Sequence, residues 1–182
     1  MALWMAFLVL MGWSAWRFSQ PEIAPQAHAP LMAPDIGKIH AIVLASASGT
    51  PVRLEQQHGK WMLTGSPDVL ANAESVRYLL HDLTAMHVIR VVTHTHAHDA
   101  ELGMNKGVKL TLLDKADAGL LTLAIGKQGS DLISTYVRIG QSSDVIAVNK
   151  VLVWQVRRTR SAWKAPLPKP GNLNKATNAL MS

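Results

Sequence analysis

The chain has 182 residues, a formal net charge of +6 and no cysteine. Its length suits one domain with extensions, and the missing cysteines exclude disulfides, thiolate metal sites and thiol nucleophiles. The charge excess is uneven: no acidic residue follows Asp144, whereas Arg157, Arg158, Arg160, Lys164, Lys169 and Lys175 do. A one-sign end of this kind suits an anionic surface, phospholipid or nucleic acid, or simply a solvated terminus.

Residues 2–16 carry no charge and only Ser14 as a polar side chain. A bilayer span takes about 20 apolar residues, and this run as a helix reaches about 22 Å. Trp4, Trp13 and Trp16 can extend it as interfacial rings, and Arg17 can snorkel. Pro21, Pro25, Pro30 and Pro34 then bar continuation of a helix. No Lys or Arg precedes the apolar run, and the small-x-small sequence Ala27-His28-Ala29 is followed by Pro30, so a cleaved signal is disfavoured. The expectation is an uncleaved membrane anchor over residues 1–17 and a Pro-rich linker over 18–35. An α+β domain over 36–164 and a disordered basic tail over 165–182 complete the chain. The expected location is the inner (cytoplasmic) membrane, single-pass, with the domain facing the periplasm. Arg17 alone pulls the other way under the positive-inside rule.

Within the domain, residues 39–44 and 52–56 are rich in β-branched and alternating apolar side chains, and His58-Gly59 marks a hairpin turn into residues 60–64. Asn72 can cap a helix whose apolar stripe is Val76, Leu79, Leu80, Leu83 and Met86. That face is narrow enough to lie on a sheet. Residues 89–93 predict a further short strand, and residues 100–104 a turn or short helix. Four runs with period-2 alternation follow between Val108 and Val148, a β-meander. Asn149 can cap a last helix through Val151, Leu152, Trp154 and Val156. The fold class is therefore α+β with a mainly antiparallel sheet, one central amphipathic helix and a C-terminal helix.

Several pieces occur in a recognisable order: Gly49-Thr50-Pro51-Val52-Arg53-Leu54, then Gly59-Lys60-Trp61-Met62-Leu63-Thr64, then the helix over 73–87. They continue as Leu102-Gly103-Met104, Leu123-Ala124-Ile125-Gly126, Tyr136-Val137-Arg138 and the strand over 145–148. This succession resembles the bacterial family called domain of unknown function 4340, over residues 36–164. Asn105-Lys106-Gly107 stands where that family usually has a proline soon after its Leu-Gly turn. The resemblance implies a membrane-anchored, envelope-associated domain, often encoded beside transport or gliding-type membrane components. It supplies no catalytic residue to carry over.

Chemistry-bearing residues gather in Thr93-His94-Thr95-His96-Ala97-His98-Asp99, after an apolar run. Alternate histidines at a strand end point to one side, and neutral imidazoles bind zinc. The run looks like the metallo-β-lactamase-fold signature Thr-His-x-His-x-Asp-His, but the last two residues are reversed and no histidine follows His98. His94, His96, His98 and Asp99 remain the candidate metal ligands, against the plainer reading of a polar surface loop. Gly126-Lys127-Gln128-Gly129-Ser130 lacks P-loop spacing and reads as a turn. Trp61, Trp154 and Trp163 read as core or sheet-edge packing. No catalytic residue and no cofactor is implied.

The leading expectation is a non-enzymatic, membrane-tethered domain that binds protein partners in an envelope assembly. No nucleic-acid partner is expected and no small-molecule substrate is identifiable. The alternatives are metal-assisted hydrolysis by the histidine cluster and binding of an anionic surface or nucleic acid by the basic C-terminus.

Overall fold

Among the described residues nine largely apolar runs become strands: β1 (Ala41–Ser46), β2 (Val52–Gln57), β3 (Lys60–Leu63), β4 (Val69–Leu70), β5 (Val88–Thr93), β6 (Val108–Leu113), β7 (Gly119–Gln128), β8 (Thr135–Ile139) and β9 (Val145–Val148). The computed structural model describes residues 35–47, 49–65 and 67–166. The strands form a nine-stranded sheet in the order β4-β3-β2-β1-β6-β7-β8-β9-β5. Every pairing is antiparallel. The meander expected between Val108 and Val148 is present as β6 to β9. A second run, β1 to β4, extends from it through the β1–β6 ladder. Strand β5 comes before the meander in sequence but lies outside it, paired with β9.

Helix α1 (Ala73–Thr84) starts where expected, with the Asn72 side chain accepting from the Ser75 N–H at 3.1 Å. Its Val76, Leu79, Leu80 and Leu83 join Ile42, Leu54, Leu110, Leu123 and Val137 of the sheet in one buried cluster. The face they cover is called the front. The His58-Gly59 turn forms as predicted, with positive φ at both residues (50° and 76°), a conformation glycine adopts freely. Trp163 closes the front core and is fully buried. Its carbonyl accepts from Asn72 N–H at 2.8 Å, and Ala71 bridges to Lys164. Trp61 packs partly against the same core, whereas Trp154 is exposed, so the packing reading fails for that ring.

Two other expectations are corrected. The C-terminal helix is a single turn, α2 (Val153–Val156), and no side chain caps it. Asn149 instead accepts from the His87 N–H at 2.7 Å, tying the end of β9 to the start of β5. The expected anchor over 1–17, the linker before Asp35 and the tail beyond residue 166 lie outside the described residues. Among the described residues no helix is long and apolar enough to cross a membrane.

Candidate functional site on the back of the sheet

The back of the sheet is half covered. On β6 the odd positions Lys109 and Thr111 face away from the core, and only the even positions are buried. On β8 and β9 the alternation disappears: Thr135, Tyr136, Val137 and Arg138 are all buried, as are Val145 to Val148. Residues on the back of these strands need a second cover, and the segment between β5 and β6 supplies it. Leu102, Tyr136, Val145 and Ala147 form a small buried cluster, with Ile89, Val92 and Met104 against it.

Two glycines permit that close approach. Gly103 has φ +73°, and a Cβ there would stand 3.0 Å from the Lys127 nitrogen. A Cβ on Gly126 would strike the Leu102 carbonyl and the Met104 methyl. The β7–β8 register shifts between Ile125 and Gln128, and the Lys127 N–H there donates to the Leu102 carbonyl at 3.0 Å. The Leu-Gly turn, the Ile-Gly strand end and the Tyr-Val-Arg strand, separate in sequence, therefore meet at one place.

Arg138 fixes the same segment electrostatically. It is 9% exposed, and its Nη1 and Nη2 donate to the two Asp99 carboxylate oxygens at 2.9 and 2.5 Å, a bidentate pair. The Arg138 guanidinium, with a smaller contribution from His96, holds the Asp99 carboxyl down at about 2. Among the described residues the Arg138 Nε is buried without a hydrogen-bond partner. Beside it lies a shallow hollow of about 280 Å³ lined by His96, Lys109, Thr122, Arg138 and Gln141.

The histidines do not sit on an extended strand end. β5 stops at Thr93, and His96–His98 form a turn of 3-10 helix, capped by the Thr95 hydroxyl accepting from Ala97 N–H. Strand alternation is lost at that cap. His94 Nδ1 lies 2.9 Å from an Asp144 oxygen, His96 Nδ1 3.1 Å from Asp99, and His98 Nδ1 3.1 Å from Glu101. Each ring thus turns to a different carboxylate, and Asp99 is engaged by Arg138. Among the described residues no group of three or more His, Cys, Asp or Glu side chains is placed to hold a metal ion. The sequence reading missed Arg138 as the centre of this arrangement. Its signal was the Tyr-Val-Arg strand, but nothing local marks that arginine as inward-facing.

A family model described as Domain of unknown function (DUF4340) matches residues 61–169. The match includes the three pieces that meet on the back of the sheet, and begins after β1 and β2. No curated protein and no solved structure matches the chain. With well over half of its 182 residues in the matched stretch, the chain belongs to the DUF4340 family.

Proposed function

We propose that the chain is a membrane-tethered, extracytoplasmic domain without catalytic activity, which acts by binding a protein partner along the β5 edge of its sheet. The observation that carries this reading is the combination of an open edge with apolar side chains turned to solvent. Among the described residues β5 pairs with β9 alone. Val91 on that strand is 46% exposed, and Leu132 and Ile133 in the β7–β8 turn are 70% and 68% exposed. The turn stands at the same end of the sheet as the start of β5, because Val148 is opposite both Thr135 and Val88.

An unpaired edge offers backbone N–H and C=O groups to an added strand. Two register shifts in β5 keep that ladder short, so apolar contact with Val91, Leu132 and Ile133 supplies the affinity. Exposed apolar side chains along an open edge and in the turn at its end suit an interaction surface. The tether is the apolar run over residues 2–16 read from the sequence.

Photo-crosslinking residues placed at Val91 and Ile133 of the full chain in its native membrane are expected to capture a protein, and Ile133→Asp to abolish capture at Val91. Probes at the exposed Lys60 and Lys115 serve as controls. Equal yields from both pairs of positions would dismiss the β5 edge as the binding surface. A reporter fused after Ser182 that is active only in the cytoplasm would remove the extracytoplasmic placement.

A further inference from the structure

A second concavity opens at the end of the sheet where β1 finishes and β2 and β6 begin. It encloses about 520 Å³ over an apolar floor that includes Val52, Val108 and Val156. Its walls carry Lys106, Arg157, Arg158 and Arg160, and among the described residues no carboxylate lines it. Among the described residues none of these four cations makes an ion pair.

The three arginines are positioned by neutral groups. Arg157 Nη2 donates to the Lys106 carbonyl at 3.2 Å, and Arg160 Nη2 donates to the Thr64 carbonyl. Arg158 Nη1 donates to the Ser75 hydroxyl at 2.5 Å, and its guanidinium lies 5.0 and 5.5 Å from the Trp154 and Trp163 rings. Neutral acceptors fix orientation without cancelling charge. Asp68 lies close enough to sense Arg160, but its oxygens already accept from Gly65 N–H and Gln57 Nε2.

Four like charges around one hollow repel one another, and a multiply charged anion relieves that repulsion at several points at once. A guanidinium offers a planar fork of donors that fits an oxyanion, and one already held in place loses little freedom on binding. The hydroxyls of Ser46, Thr50 and Thr159 on the same lining add neutral donors.

From these features we infer that the cavity binds a terminal phosphate group, carried either by a soluble compound or by a lipid head group of the phosphomonoester class. The inference stands apart from the partner-binding reading, because the cavity and the β5 edge share no lining residue.

The test is calorimetric titration of the full chain, held in neutral phosphatidylcholine nanodiscs, with inorganic pyrophosphate and separately with dihexanoyl phosphatidic acid. Binding of pyrophosphate identifies a soluble source, and binding of the short-chain lipid alone identifies a head group. Either affinity is expected to fall about tenfold or more in the double variant Lys106→Gln, Arg157→Gln, because charge-assisted hydrogen bonds are lost. Both residues are exposed, so the fold tolerates their replacement. Lys109→Gln with Lys115→Gln removes the same charge elsewhere and is expected to leave binding within about twofold. No heat with either probe, or equal losses in the two double variants, overturns the inference.

Discussion

On the front of the sheet, helix α1 lays Val76, Leu79, Leu80 and Leu83 into a cluster that runs from β1 to β9 and includes Trp163. On the back, the segment between β5 and β6 sets Leu102 against three buried sheet residues and is held further by two close glycine contacts and the Asp99–Arg138 pair. The first attachment is extensive and non-directional. The second is small and depends on geometry and charge. Removing one group therefore has different consequences on the two sides: the front loses stability throughout, whereas the back is expected to open locally before the sheet unfolds.

Trp163→Ala is the largest expected effect, about 4 kcal/mol of unfolding free energy for a buried aromatic. Urea unfolding of the full chain in nonionic detergent measures it, and circular dichroism and Trp fluorescence should lose signal together. Asp99→Ala leaves Arg138 buried without its partner and is expected to cost about 3 kcal/mol. Amide exchange should rise first in residues 96–104. Protection unchanged there would mean that the ion pair does not hold the segment, and the contrast between the faces would fail. Gly126→Ala drives a Cβ into the Leu102 carbonyl and is expected to cost about 2 kcal/mol through overpacking, with the same local exchange signature. A loss of protection spread over α1 instead would show that the two faces share one cooperative unit.

The smallest effect is one of pH. The folded Asp99 carboxyl is held near 2, below its ordinary 3.8, so its contribution is present above the ordinary value and disappears as pH falls through about 2. Between pH 5 and 2 the wild type should lose stability more steeply than Asp99→Asn. Parallel melting curves for the two proteins across that range would contradict the pairing with Arg138.

Much of the fold was legible because its signals are local. Asn72 followed by the spacing of Val76, Leu79, Leu80 and Leu83 specifies a capped helix with one apolar face, and alternation over Val108 to Leu113 specifies a half-buried strand. His58-Gly59 specifies the turn between β2 and β3. Misreadings arose where the deciding group is distant in sequence. Asn149 bonds across to His87, 62 residues away, instead of capping the next helix. The histidine run looked extended until the Thr95 cap turned it away from the strand.

The sequence alone determined the central helix, the longer strands and their antiparallel meander, the family resemblance and the basic bias of the C-terminal end, since periodicity, turn residues and composition are properties of neighbouring residues; it did not mark the short strand β4 or the single-turn length of α2. Tertiary structure alone decided that β5 occupies the outer edge, that Arg138 meets Asp99 across 39 residues, and that Lys106 joins three arginines around one cavity. Those outcomes depend on which strands pair and which faces are covered. Long-range pairing chooses among arrangements that local propensity leaves equally open.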